Sequence, residues 1–253
     1  MSEPMWTPGR VVWRELMTKD VEASKAFYGA MFGWTFQEMP MGPDQPPYTL
    51  AQVGDRQVGG ITPAGDAPVC FWLSYVSTED VDGAVAAATA AGGSAMFGPF
   101  DVPEVGRLAG IVDFEGACIG LLRATTGDSP PAPPTGPEFC WETLSSGDVE
   151  RAKAFYSAVF GWQTSDGPGG HGFVFGVGPG FENAVADVQP AEGMPPSWIT
   201  YVVTEDSAAS AGKAAALGGT VIATNIVVPS VGVIAIVQDP AGAFLGLFQP
   251  TMS

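Results

Sequence analysis

Two stretches far apart in the chain carry the same alternation of apolar and polar positions. VVWREL (11–16) and EFCWETL (138–144) are short runs of β-branched and aromatic residues, and each predicts a strand. Asp20 and Asp148 follow, placed to cap helices in which Phe27, Ala30 and Met31, and Phe155, Ala158 and Val159, recur at helical spacing. Gly33 and Gly161 close those helices, and aromatic strands begin at Trp34 and Trp162. YTLAQV (48–53) and GFVFGV (172–177) come next, each running through a turn into a further strand. WLSYV (72–76) and WITYV (198–202) read as strands, and Asp80–Ala91 and Asp206–Leu217 as alanine-rich helices closed by Gly-Gly. LAGIVDFEGACIGLL (108–122) and VIAIVQDPAGAFLGLF (233–248) read as hairpins that turn at Asp-x-x-Gly.

The chain is therefore an internal duplication. WRELMTKDVEASKAFYGAMFGW (13–34) aligns without a gap to WETLSSGDVERAKAFYSAVFGW (141–162), an offset of 128, and 71–122 aligns to 197–248 at an offset of 126. Six of the seven tryptophans pair across the repeat, and only Trp6 falls outside it. A segment rich in Pro, Gly, Ser and Thr without apolar periodicity separates the copies. The expected organisation is a first module over 1–124, a Pro-rich linker over 125–136 and a second module over 137–253. The predicted class is α+β, with tandem modules each built of two βαβββ units.

Composition then narrows the chemistry. Lys+Arg 10 against Asp+Glu 27 gives a formal net charge of -17, which argues against nucleic acid and anionic membranes as partners. The apolar runs are too short to span a bilayer, and MSEPMWTPGR has no signal pattern, so a soluble cytoplasmic protein is expected. Cys70, Cys118 and Cys140 are widely spaced among apolar neighbours and read as buried reduced thiols. The single histidine, His171, cannot build a His-based metal site within one chain.

The repeated Phe-Tyr…Phe-Gly-Trp helix, the strand and helix ending in Gly-Gly, and the closing Asp-x-x-Gly hairpin resemble the glyoxalase / bleomycin-resistance / ring-cleaving dioxygenase superfamily, the vicinal oxygen chelate proteins. That resemblance implies curved mixed sheets around clefts. In metal-dependent members it also implies His and Glu ligands near the start of each unit's first strand and near the end of its last. Those places fall here on Trp13, Trp72, Trp141 and Trp198, and on Gly120 and Gly246, whose side chains offer no ligand atoms. Neither a metal nor another cofactor is expected.

Residues two apart on a strand share a face, so Trp13 with Glu15, Trp72 with Ser74, Trp141 with Thr143 and Trp198 with Thr200 are expected to point the same way. On the family geometry that face lines the cleft. The four indoles then either wall a site for a flat or hydrophobic ligand or fill the space of a lost one. Features present in one copy only are the better candidates for activity. Glu15, opposite Thr143 in the repeat, reads as a general acid or base, or as a salt-bridged carboxylate. Arg107, opposite Val233, reads as an anion holder, or as a bridge to Glu15 or Asp101. His171, in the Gly-rich SDGPGGHGF, reads as a loop histidine or a base. Two functions follow: a metal-independent binder of a hydrophobic or aromatic metabolite or antibiotic-like ligand, or a metal-independent enzyme of isomerase, lyase or cyclisation/hydration type on a small metabolite or natural-product intermediate. Duplication makes a monomer sufficient and leaves a homodimer open.

Overall fold

The computed structural model describes residues 5–42, 45–129, 133–170 and 172–251. Its elements run β1 (Val11–Thr18), α1 (Val21–Phe32), β2 (Thr35–Met39), β3 (Tyr48–Val53), β4 (Arg56–Pro63), then β5 (Phe71–Ser77), α2 (Val81–Ala90), β6 (Ser94–Val102), β7 (Gly106–Val112), β8 (Cys118–Ala124). The second half repeats them: β9 (Phe139–Ser146), α3 (Val149–Phe160), β10 (Gln163–Asp166), β11 (Phe173–Gly176), β12 (Ala184–Pro190), β13 (Ser197–Val203), α4 (Ser207–Ala216), β14 (Thr220–Val228), β15 (Gly232–Gln238), β16 (Phe244–Pro250). The βαβββ order thus occurs four times, as the sequence predicts. Each half of the chain makes one eight-stranded mixed sheet, β2-β3-β4-β1-β5-β8-β7-β6 and β10-β11-β12-β9-β13-β16-β15-β14. Within each βαβββ unit the first strand lies parallel to the last, as in β1 with β4 and β5 with β8, while the other pairings are antiparallel. Among the described residues no helix is long and apolar enough to cross a membrane.

Helix boundaries follow the local chemistry. Asp20, Asp80, Asp148 and Asp206 each accept a backbone N–H from three residues onward, satisfying an otherwise orphaned donor of the first turn. Gly33 (φ 70°) and Gly161 (φ 68°) end α1 and α3 in the left-handed conformation that a side chain would resist.

Packing does not follow the sequence halves. Residues group into two compact units, each drawing on both copies. The first gathers the stretch up to Trp13, the stretch from Ser74 to the linker, and Glu142–Trp198; the second gathers Arg14–Leu73, Pro133–Trp141 and the stretch from Ile199. Each unit has one apolar core. In the first, Phe155, Tyr156, Trp162, Phe175 and Trp198 pack with Ile119 and Leu121; in the second, Phe27, Tyr28, Trp34, Trp72 and Phe139 pack with Leu245 and Leu247.

A polar relay runs through each core. In the second unit Trp72 Nε1 donates to Tyr28 Oη at 2.8 Å, and Tyr28 Oη donates to Asp239 Oδ2 at 2.9 Å. Asp239 Oδ1 accepts the backbone N–H groups of Ala241 and Ala243, holding the β15–β16 turn. In the first unit Trp198 Nε1 donates to Tyr156 Oη at 2.9 Å, Tyr156 Oη donates to Asp113 Oδ2 at 2.9 Å, and Asp113 Oδ1 holds the β7–β8 turn through Glu115, Gly116 and Ala117. Each relay joins a helix of one copy to a hairpin of the other. Both tyrosines are fully buried, and burial first, then the neighbouring aspartate, pushes their phenols well above the ordinary tyrosine range. Burial also raises the Asp239 carboxyl, against the lowering effect of its hydrogen bonds.

Tyr28→Phe leaves a buried indole N–H and a carboxylate oxygen without their partner, and the expected loss is about 2–4 kcal/mol in urea unfolding, with Tyr156→Phe matching it. A loss under about 0.5 kcal/mol would remove the relay as a source of stability. Raised phenol pKa values mean that the unfolded chain releases protons above pH about 10 while the folded chain keeps them, so stability falls as pH rises through that range. In an alkaline titration followed at the tyrosinate absorbance, Tyr28 and Tyr156 are expected to ionise only with unfolding, a coupled step that the double Phe variant lacks.

Candidate functional site

On β1 the buried positions are Leu16 and Thr18, and Leu16 enters the helix-covered core. Trp13 and Glu15 alternate with them and stand half-buried on the opposite face. β9 repeats this: Leu144 enters the core, while Trp141 and Thr143 share the other face, Trp141 half-buried and Thr143 8% exposed. Thr143 Oγ1 donates to Asp187 Oδ1 at 2.5 Å from the neighbouring β12, and Gln189 Nε2 donates to the other Asp187 oxygen at 2.7 Å. Glu15 sits in register with Gly60 on β4, and the Tyr48 ring lies where a Gly60 Cβ would be.

Trp72 and Trp198 are placed differently. On β5, Trp72, Ser74 and Val76 share a face, and Val76 belongs to the helix-side core; on β13 the same holds for Trp198, Thr200 and Val202. Both indoles are therefore core residues, 3% and 6% exposed, locked by their hydrogen bonds to Tyr28 and Tyr156 and by edge-to-face contacts with those rings. The expectation that all four tryptophans share a cleft-lining face thus holds for neither of these two, because the strand's helix-facing side is the side that Trp72 and Trp198 occupy. Ser74 and Thr200 are likewise buried, and Ser74 Oγ donates to Glu142 Oε1 at 3.3 Å. Arg107 forms a bidentate pair with Asp82 (2.5 and 2.8 Å) and reaches Asp101 at 3.0 Å, so the bridge to Asp101 forms and the guanidinium charge is balanced twice over. Those carboxylates raise its pKa further. His171 lies outside the described residues.

Sequence reasoning missed Glu142, a carboxylate 1% exposed that stands where the first copy has Arg14, and Asp187, the partner of Thr143. It also missed what closes the two glycine positions. Tyr75 is in register with Gly120 and Tyr201 with Gly246 across parallel strand pairs. A Cβ at either glycine would overlap the Cγ and Cδ1 atoms of the facing tyrosine ring, which are anchored close to the backbone. Repetition of Tyr and Gly in both copies was the available signal, but their pairing depends on register that the linear sequence does not display.

The N-terminal part of the chain, residues 10–46, matches the family model described as bleomycin resistance protein-like N-terminal. "Putative glyoxylase CFP32" of Mycobacterium tuberculosis is 32% identical over 94% of this chain and 94% of its own length. The chain belongs to the glyoxalase/bleomycin-resistance superfamily. "Anthracycline biosynthesis protein DauV" of Streptomyces sp. strain C5 is 27% identical over 94% of this chain and 92% of its own length. Among solved structures, the Mn(II)-bound glyoxalase from Novosphingobium aromaticivorans superposes with a TM-score of 0.65 at 14% identity, covering 95% of this chain and 82% of that one, which shows a shared fold.

A divalent ion of the kind that this superfamily employs needs N, O or S donors, and the residues at the implied places do not supply them. Four are indoles, two of them locked in the cores, and two are glycines already overlain by tyrosine rings. Among the described residues, no three of His, Cys, Asp and Glu gather into a metal-holding group.

Gly120→Ala is expected to cost about 1–3 kcal/mol by overpacking against Tyr75, measured by urea unfolding. In a Tyr75→Ala background the same change is expected to cost under about 0.5 kcal/mol, and equal costs in the two backgrounds would show that the ring does not close this position.

Proposed function

We propose that this chain binds a hydrophobic or aromatic metabolite without the help of a metal ion. The observation that carries the reading is the closure of the implied ligand places: Tyr75 over Gly120 and Tyr201 over Gly246, with indoles at the remaining four. An ion held there would need side chains for which there is neither chemistry nor room. A relative named for anthracycline biosynthesis supports a polycyclic aromatic compound as the ligand class. The contact residues of this reading are the half-buried Trp13 with Thr143 in the first unit and, as a separate set, the half-buried Trp141 with Glu15 in the second. Flat indole faces gain by stacking on flat aromatic systems, and a neighbouring carboxylate or hydroxyl supplies direction. An acid–base enzyme using Glu15 together with Arg107 has less support, since Arg107 is already engaged by Asp82 and Asp101.

The test is a tryptophan-fluorescence titration with 1,4-dihydroxyanthraquinone, before and after exhaustive dialysis against EDTA. Saturable quenching in the micromolar range, changed by less than about twofold after dialysis, is expected, with Trp13→Ala or Trp141→Ala weakening binding about fivefold or more. Loss of binding after dialysis and its recovery with Mn(II) would overturn the metal-free reading; unsaturable quenching would overturn the ligand class.

A further inference from the structure

The turn between β6 and β7 is a repeated piece of backbone with unrepeated side chains. Glu104 (φ 64°) and its counterpart Ser230 (φ 61°) adopt the same left-handed conformation, and Thr125 N–H to Val105 and Thr251 N–H to Val231 make the same 2.9 Å bond. Asp101, Arg107 and Arg123 stand in one register row across β6, β7 and β8; the corresponding row of the second copy is Val227, Val233 and Gln249. Trp6, the tryptophan outside the repeat, completes the set. Together with the turn these residues line an open pocket of about 460 Å³ in the first unit.

The charges in this row are not evenly matched. Arg107 and Arg123 face each other directly, a like-charge pair that disfavours the sheet unless it is compensated. Asp82 and Asp101 compensate Arg107. Arg123 instead lies with its guanidinium carbon 3.8 Å from the centre of the Trp6 ring, and among the described residues it has no carboxylate partner. That is notable in a chain with Asp+Glu 27 against Lys+Arg 10. Trp6 is itself fixed, its Nε1 donating to Ala124 O at 2.8 Å and its neighbour Thr7 donating backbone and hydroxyl hydrogens to Asp128. A guanidinium held over the face of an indole still has N–H donors for a planar anion, which arginine meets through two parallel hydrogen bonds.

We infer that this pocket binds a carboxylate carried on a flat apolar body, with Arg123 taking the carboxylate and Trp6 holding both the arginine and the edge of the ligand. Glu104 on the turn opposes a second negative charge and so selects monoanions over dianions. The residues are disjoint from those of the proposed function, and either site can fail alone.

The probe is 2-naphthoate, with 2-naphthamide as its neutral counterpart, followed by two-dimensional ¹H–¹⁵N NMR of the indole N–H signals, with the Trp6 signal assigned by its loss in Trp6→Phe. Saturable displacement of the Trp6 signal by 2-naphthoate is expected, with the amide at least about tenfold weaker. Arg123→Gln is expected to weaken 2-naphthoate about tenfold or more while the other indole signals stay in place, and Glu104→Gln to strengthen it about two- to fivefold. Equal binding of acid and amide, an Arg123→Gln variant that binds as well as the parent, or shifts confined to other tryptophans would each overturn the site. Weakening by Glu104→Gln would do so independently, through a position on an exposed turn whose change does not touch the core.

Discussion

The hydroxyl of a buried tyrosine, held between an indole N–H and a hairpin aspartate, is the constraint on which the architecture depends. Tyr28 and Tyr156 are each enclosed by aromatic rings, so their polar atoms have no water to fall back on. The observed arrangement of helix, strand and hairpin presents both a donor and an acceptor at hydrogen-bond distance, as a buried hydroxyl requires. Because Tyr28 meets Asp239 and Tyr156 meets Asp113, satisfying the hydroxyl forces a helix of one copy onto a hairpin of the other. The grouping into two compact units, each mixed from both halves, follows from that choice of partner.

The aspartate has two tasks at once. One oxygen gathers two or three backbone N–H groups of its own turn, which makes the hairpin a rigid local structure; the other faces the tyrosine. Reading Asp-x-x-Gly as turn chemistry is therefore correct and incomplete. The local role is visible in four consecutive residues, whereas the long-range role needs a partner more than two hundred positions away in the case of Asp239.

Most of the fold was legible for a simple reason: duplication presents each element twice, and agreement between copies separates pattern from accident. The caps at Asp20 and Asp148, the left-handed glycines and the four βαβββ orders all came through. The orientation of β5 and β13 did not. Alternation tells which residues share a face, but it names the core face only when the other face is wet, and β5 is buried at six of its seven positions. Without a solvated side, Trp72 gave no hint that it turns toward Tyr28, nor Ser74 that it meets Glu142. On β1, where Leu16 and Thr18 are buried and Glu15 and Met17 are not, the reading had something to hold. The candidate site suffered the same limit: glycine and tyrosine each recur in both copies of the sequence, but that Tyr75 covers Gly120 is a fact of register.

The crossed relay also bears on how the chain is made. When the ribosome has delivered only the first copy, Tyr28 and Trp72 already exist but Asp239 lies 211 residues beyond Tyr28, so the second unit's core cannot close until the second copy has been made through Asp239. The nascent first half must wait with an aromatic surface uncovered, and contacts of such long sequence separation close slowly once the partner arrives. During that interval the hairpin of a neighbouring nascent chain, offering the same turn through Asp113, is chemically a fair substitute. A duplicated protein of this design thus carries its own most plausible misfolding partner within its sequence, and its homogeneity depends on the correct hairpin winning that competition.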